Sequence, residues 1–457
     1  PSIRALKLID VMTGAVVFET EWDTVDDQTR ALYRNQIQPL QLNHQYEAWL
    51  SFNKPMRWRE NGEVAPFPGQ DLNTLDLEAD ILVDDMPLTT TLITADWLDQ
   101  PVAAPDGYMN YVYDALKITF SFPEDEHNLG IVTGLANATL TIDTTDMTGL
   151  NIDANPETVA NWEDGRWRRY ENETGLEGIS GGADSTISFE VTNEVLPPPF
   201  TLEPGITAAW FDPAHDGEGF LIEILADNAA VMYWFTYNDV GEQDWYIASG
   251  EVQGNRIVFP ELLRISGGEF GPGFDPANVT EEVVGSASFT WSDCDQGDMS
   301  YQIGTQHGRM KLYRLTRLMS IDCGPPIMAP ERPEGILSGS WYDPSHAGEG
   351  YNVEVLINGQ VVVYWFSYDP EGNRRWFFGL GEILNGKLVF DDMQTSSGGI
   401  FGPDFDPDLV EYKPWGSLEL DLTCEGGTAT YGSTEEGFGS GTLNVVRLTN
   451  IDTLPCQ

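Results

Sequence analysis

The chain repeats part of itself. Trp210-Phe211-Asp212-Pro213-Ala214-His215-Asp216-Gly217-Glu218-Gly219-Phe220 returns 131 positions later as Trp341-Tyr342-Asp343-Pro344-Ser345-His346-Ala347-Gly348-Glu349-Gly350-Tyr351. The register then holds without a gap. Tyr233-Trp234-Phe235-Thr236-Tyr237 returns as Tyr364-Trp365-Phe366-Ser367-Tyr368, and Phe270-Gly271-Pro272-Gly273-Phe274-Asp275-Pro276 returns as Phe401-Gly402-Pro403-Asp404-Phe405-Asp406-Pro407. Self-similarity at a fixed period constrains the fold more than any local pattern, because it fixes the number of units. Two copies of about 120 residues leave roughly 200 residues ahead of them, which suits the about three domains expected of a chain this long.

Proline-rich stretches punctuate the chain in two places, at Val195-Leu196-Pro197-Pro198-Pro199-Phe200 and at Gly324-Pro325-Pro326-Ile327-Met328-Ala329-Pro330-Glu331-Arg332-Pro333. They divide it into a first region at 1–194, a linker at 195–204, a first repeat at 205–323, a linker at 324–336 and a second repeat at 337–457. Such linkers are extended and stiff, and are expected to hold the modules apart.

Strand signals run through the first region. Leu116-Lys117-Ile118-Thr119-Phe120-Ser121-Phe122, Ala138-Thr139-Leu140-Thr141-Ile142-Asp143 and Ile187-Ser188-Phe189-Glu190-Val191 alternate apolar and polar residues, the period of a half-buried strand. Tyr46 to Phe52 does the same and is expected to stop near Pro55, while Asp26 to Gln36 is the one segment that reads as a helical turn. This pattern predicts a β-sandwich of immunoglobulin-like type. Each repeat reads as an antiparallel meander, with hairpin turns at Asn358-Gly359 and Asn385-Gly386. Some eight strands per copy predict a closed up-and-down barrel or a compact sandwich. The expected fold is therefore all-β: an N-terminal sandwich, then two tandem antiparallel β-barrel or meander repeats.

Composition narrows the partners. With 73 acidic against 23 basic residues the net charge is −50, which repels phosphate backbones and anionic lipid, so nucleic acid and acidic membranes are poor partners. Such a surface keeps a protein soluble in salty surroundings, and it also offers carboxylates to calcium. Asp80, Asp84-Asp85 and Asp143-Thr144-Thr145-Asp146 are the candidate loops, although none matches the twelve-residue helix-loop-helix calcium loop. A hydrophobic content of 41% with 14 tryptophans argues for packed domains rather than disorder. No run of 18 apolar residues exists, so no transmembrane segment is expected. The chain opens at Pro1-Ser2-Ile3-Arg4 without an initiator methionine or a signal peptide, which suggests a processed mature form.

Four cysteines allow three pairings. Cys294 and Cys424 occupy matching places, as do Cys323 and Cys456, so one bridge per repeat is the simple answer: Cys294–Cys323 and Cys424–Cys456. A two-cysteine zinc site per repeat is the alternative, weakened by the lack of any local CxxC. Paired, repeated cysteines favour an oxidising location: extracellular medium, cell surface or periplasm.

The repeats resemble an uncharacterised secreted repeat found in proteobacterial exported proteins. Its pattern opens on W-[WYF]-[ND]-P-x-x-x-G-x-G, continues through W-F-[TS]-Y-[DN], G-x-x-x-W and F-D-P-x-x-V, and closes on a terminal arginine. Here Trp341, Asp343, Pro344, Gly348, Gly350, Trp365, Phe366, Tyr368, Gly372, Trp376, Phe405, Asp406, Pro407, Val410 and Arg447 carry it, with equivalents in the first copy. The resemblance implies export and a β architecture, and it assigns no activity and no role to the histidine or glutamate of the opening motif.

Three constellations are candidates for function. Asp212, His215 and Glu218, repeated as Asp343, His346 and Glu349, with Glu223 and Glu354 on the following strand, have the residue types of a divalent-metal site or a general acid–base pair. The alternative is a turn, opened by Asp-Pro, with glycines at special backbone angles and the histidine stacked on an aromatic. Tyr233, Trp234, Trp245, Tyr364, Trp365 and Trp376 place aromatics on both faces of a sheet. One face is core, and the other is a candidate stacking surface for sugars. Arg166, Trp167, Arg168, Arg169 and Tyr170 form a basic island in an acidic chain, the composition of an interface hot spot. These features lead to an expectation of a non-catalytic, extracellular or cell-surface structural and adhesive protein that self-associates or meets a surface polysaccharide. No cofactor is assigned, apart from calcium as a candidate. The alternatives are a carbohydrate- or small-ligand-binding protein and a metal-dependent hydrolase built on the His/Glu turns.

Overall fold

The structure of the chain, a computed structural model, describes residues 3–25, 28–57, 59–60, 63–64, 78–97, 112–143, 187–304, 306–321, 323–324, 333–402 and 405–454. The chain divides into two compact units, Pro1–Thr201 and Leu202–Gln457. The boundary falls in the first proline-rich linker.

The first unit runs β1 (Ile3–Asp10), β2 (Val16–Val25), β3 (Gln28–Gln36), β4 (Leu40–Gln41), β5 (Gln45–Arg57), β6 (Arg59–Glu60), β7 (Glu63–Val64), β8 (Glu78–Val83), β9 (Met86–Pro87), β10 (Thr91–Trp97), β11 (Val112–Ser121), β12 (Leu135–Asp143) and β13 (Ile187–Thr192). Six of these make one sheet in the order β10-β11-β5-β1-β2-β3, and five make another in the order β4-β13-β12-β8-β9. The alternation seen in the sequence is what closes the core. Leu6, Leu8, Phe18, Ala48, Ile118 and Phe120 of the first sheet pack against Ile81, Val83, Leu140, Phe189 and Val191 of the second, giving a sandwich. The six-stranded sheet ends on β3 and β10, each hydrogen-bonded to one neighbour among the described residues.

Three expectations need correction here. The segment ending at Gln36 is strand β3, paired antiparallel with β2; ladder formation overrides a weak local helical pattern. Pro55 does not end β5. The β5–β11 ladder bulges instead between Ser51 and Met56, which absorbs a residue lacking an N–H. Among the described residues the helix of this unit is α1 (Glu126–Ile131), capped by the Asp125 carboxylate, which accepts from the Asn128 backbone N–H at 2.8 Å.

Each repeat is a closed eight-stranded barrel. The first comprises β14 (Ala208–Phe211), β15 (Gly219–Ile224), β16 (Ala229–Tyr237), β17 (Gln243–Gln253), β18 (Arg256–Ser266), β19 (Thr280–Trp291), β20 (Gln296–Ile303) and β21 (Gln306–Arg314). The second comprises β22 (Gly339–Tyr342), β23 (Gly350–Val355), β24 (Gln360–Tyr368), β25 (Arg374–Leu384), β26 (Lys387–Ser397), β27 (Glu411–Leu422), β28 (Gly426–Ser433) and β29 (Ser440–Arg447). All neighbours are consecutive and antiparallel, and β14–β21 and β22–β29 pairings close the two barrels. Closure removes the exposed edges that an open meander would present. The motif's terminal arginines seal one end of each barrel. Arg314 lies over Trp210 and donates to the Gly205 carbonyl, and Arg447 lies over Trp341 and donates to the Ile336 and Ser338 carbonyls.

Cys294 and Cys323 are disulfide-bonded. Cys424 is also disulfide-bonded, and Cys456 lies outside the described residues. The two barrels are not held apart. They pack into one compact unit, because the second face of the aromatic strands is apolar as well and is covered by the other barrel.

Candidate functional site

Alternation sets which aromatics meet. On β16 and β24, Trp234 and Trp365 point into their own barrels, while Tyr233, Phe235, Tyr237 and Tyr364, Phe366, Tyr368 point outward into a single cluster shared by both barrels. Tyr233 stacks on Phe366 with ring centroids 5.4 Å apart, and Phe235 stacks on Tyr364 at 4.9 Å. Trp376 packs on Phe235 and donates its Nε1–H to the Thr236 carbonyl at 3.1 Å; Trp245 packs on Phe366 and donates to the Ser367 carbonyl at 3.4 Å. Each of these aromatic contacts has a mate with the copies exchanged, which is the signature of an isologous interface, here formed within one chain.

The Gly-Pro-rich insertions extend the exchange. Phe270, from the first repeat, enters the second barrel among Trp365, Trp415, Tyr431 and Phe438. Phe401, from the second repeat, enters the first barrel among Trp234, Tyr246 and Tyr301. Backbone bonds fix both crossings, from Phe270 N–H to the Asp369 carbonyl at 3.1 Å and from Phe401 N–H to the Asn238 carbonyl at 3.3 Å.

The His/Glu motif sits beneath the same crossings. His215 stacks on Phe405 at 5.0 Å and His346 on Phe274 at 4.7 Å, each a histidine of one copy against a phenylalanine of the other. His215 Nδ1 lies 2.6 Å from Glu218 Oε1, and His346 Nδ1 lies 2.7 Å from Glu349 Oε1. The second oxygen of Glu218 accepts from Thr236 and from Trp234 Nε1, and that of Glu349 accepts from Ser367. The aspartates turn away to cap backbone. Asp212 accepts from the Ala214 and Lys311 amides at 2.9 Å each, and Asp343 accepts from the Ser345 amide at 2.8 Å and the Asn444 amide at 2.9 Å. Gly217 and Gly348 make the close approach possible. They have φ of +117° and +120°, and a Cβ at either would come within 2.8 Å of Val410 or Val279 of the other copy.

Of the residues expected to hold a metal, His215 faces Glu218 and His346 faces Glu349, while Asp212 and Asp343 face backbone amides. Among the described residues no three His, Cys, Asp or Glu side chains gather around one point. Burial works against the charged form of His215, but Glu218 and Asp212 outweigh it and raise its pKa; the hydrogen bond that His346 donates to Glu349 does the same for His346. Burial also opposes the ionised form of Asp343, yet bonds from Ser345 and Asn444 bring its pKa down. These shifts describe an ion-paired lock that is strongest when the histidines are protonated.

The aromatics expected to form a sugar-stacking surface lie in the interior. Tyr233, Trp234, Trp245, Tyr364, Trp365 and Trp376 are all buried, four of them between the barrels and the two strand tryptophans inside them. Asp84 and Asp85 form the exposed β8–β9 turn. Arg166, Trp167, Arg168, Arg169 and Tyr170 lie outside the described residues, as do Thr144, Thr145 and Asp146.

Glu223 and Glu354 face the same interface, both buried. Glu223 Oε1 accepts from Ser340 Oγ at 2.7 Å and from Asn352 Nδ2 at 2.6 Å, across the barrel boundary. The positions equivalent to Ser340 and Asn352 in the first copy are Ala209 and Leu221, which offer no side-chain donor to Glu354. Its Oε2 has no hydrogen-bond partner, and burial, aided by the Glu223 charge, pushes its pKa up to about 7 despite Thr316 and Arg314.

Sequence reasoning missed Phe270, Phe274, Val279 and their copies Phe401, Phe405 and Val410 as crossing residues. The available signal was their recurrence outside any predicted strand, since a repeated aromatic in a Gly-Pro loop has no core of its own to fill. No protein-family model matches the chain, and no curated protein matches it.

Proposed function

We propose that the chain is a non-catalytic structural protein of the cell surface or extracellular medium, and that it self-associates. The observation that carries this reading is the use to which the repeat puts its chemically capable residues. The histidines, glutamates and aromatics shared by both copies are engaged in joining two barrels into one rigid block. Groups held in this way are suited to bearing load.

Three further features support the reading. The Cys294–Cys323 bridge suits an oxidising location. The resemblance of the repeats to exported proteobacterial repeats points the same way. Among the described residues the six-stranded sheet of the first unit ends on strands of nine and seven residues, β3 and β10, long enough to accept a strand from a second copy. Light scattering and electron microscopy of the full chain over a concentration series, with and without calcium, test the proposal. Growth in size with concentration is expected. A monomer at every concentration in both conditions removes self-association.

A further inference from the structure

The two copies agree along the lock and diverge around one cleft. Gln243 and Arg374 hold equivalent positions, as do Asp244 and Arg375, and Glu282 and Lys413. Arg374 reaches across to the first barrel, where it donates to both oxygens of Asp244 and to Ser266 Oγ at 2.8 Å. Gln243 makes the opposite crossing with a shorter side chain. Its Nε2 donates to the Trp376 carbonyl at 2.9 Å, and its Oε1 accepts from Arg375 Nε at 2.9 Å and Thr395 Oγ1 at 3.1 Å. Where arginine fills the space beside the first barrel, glutamine leaves a cleft of about 400 Å³ beside the second.

The charge of this cleft differs from that of the chain. Arg374, Arg375 and Lys413 line it with Glu242, Asp369 and Glu435, an even balance in a chain with 73 acidic and 23 basic residues. Most of these groups are engaged. Asp369 caps its own turn, accepting from the Glu371 and Asn373 amides and from Asn373 Nδ2. Arg375 is bound to Glu435 at 3.1 Å. Lys413 differs. Its ammonium donates to Ser397 Oγ at 3.1 Å, and the nearest carboxylate oxygen among the described residues, on Glu411, is 3.9 Å away. Among the described residues two of its N–H donors thus remain, beside a hydroxyl that can still donate.

We propose that this cleft binds a polyhydroxy monocarboxylate, with the chemistry of a uronic acid. The ligand carboxylate takes Lys413 and the Ser397 hydroxyl, and ligand hydroxyls donate to the carboxylates of Glu435 and Glu242, which line the same cleft. Those same carboxylates repel a dianion such as phosphate. Neutral sugars lack the charged partner for Lys413. The inference goes beyond the structural role above and stands or falls independently of self-association.

Calorimetric titration of the full chain with sodium glucuronate, glucose and inorganic phosphate tests it, alongside Lys413→Glu and Gln243→Arg. Each substitution copies the residue that the other copy carries at the equivalent position, and Gln243→Arg is made together with Arg375→Asp, which supplies the carboxylate that Asp244 gives Arg374. Glucuronate is expected to bind saturably and at least about tenfold more tightly than glucose or phosphate. Lys413→Glu is expected to lose that tenfold, and Gln243→Arg with Arg375→Asp to abolish binding by filling the cleft, with circular dichroism and melting temperature unchanged. Absence of glucuronate binding, equal affinity for glucose, tighter binding of phosphate, or retention of binding in well-folded Lys413→Glu would each overturn the proposal.

Discussion

Replacing Glu354 by glutamine should stabilise the double barrel, and the gain should grow with pH. Glu354 is buried at the junction of the barrels, and one of its oxygens has no hydrogen-bond partner. Its pKa rises from 4.5 to about 7 on folding, mainly because burial disfavours the charged form. Each pKa unit is worth about 1.36 kcal/mol, so ionisation costs the folded state about 3 kcal/mol once both folded and unfolded forms are deprotonated. That stability is fully present below pH 4.5, declines between pH 4.5 and 7, and is absent above. Glutamine keeps the shape and carries no charge at any pH. Guanidinium unfolding followed by tryptophan fluorescence, on wild type and Glu354→Gln at pH 4, 5.5, 7 and 8.5, measures the gap on the double-barrel transition. The two proteins should be closely matched at pH 4 and differ by about 3 kcal/mol at pH 8.5, in favour of the variant. The variant should still weaken somewhat as pH rises. His215 and His346 have raised pKa values, so their contribution is complete below pH 6.5 and is lost as pH climbs through those raised values. A pH-independent gap between wild type and variant would falsify the assignment of a neutral buried carboxyl at Glu354.

The crossing residues give further tests. Phe270→Ala removes a ring from the second barrel's core and should cost about 3–5 kcal/mol, with Phe401→Ala doing the same to the first; chemical denaturation of each should show the shared double-barrel transition shifted by that amount. Gly348→Ala places a Cβ 2.8 Å from Val279 at φ +120° and should destabilise by about 1–3 kcal/mol from the backbone alone. Adding Val279→Ala should recover the steric part and leave the backbone part, a difference that a double-mutant cycle resolves. Cys294→Ser opens a bridge spanning 29 residues and should cost about 3 kcal/mol, seen as a lower melting temperature; added reductant should lower that of the wild type further, since it also opens the bridge at Cys424.

Much of this was legible because the chain offers its own comparison. Alternation in Leu116 to Phe122 and in Ile187 to Val191 became β11 and β13 with the expected residues inward. The hairpin signals at Asn358-Gly359 and Asn385-Gly386 became the turns before β24 and β26. The histidine stacking that a turn reading anticipates is present, but its aromatic partner lies 190 residues away in one direction and 72 in the other, separations that no local pattern encodes. Arg374 and Arg375 carried no visible signal as neighbours of a cleft. Their surroundings come from the first copy, and only the comparison of Gln243 with Arg374 hints at an asymmetry.

The sequence alone determined most of the strands, the two repeated antiparallel meanders and the placement of aromatics on both faces of β16 and β24. Those follow from a period of two and from turn chemistry, both of which act over a few residues. What lies against the second aromatic face was decided only in three dimensions. Such a face must be covered, and a ligand, a partner or the other barrel would satisfy that need equally well in hydrophobic terms, since burial is non-directional. The tertiary structure chose the other barrel, because Phe270 and Phe401 reach across and Gly217 and Gly348 leave room for Val410 and Val279.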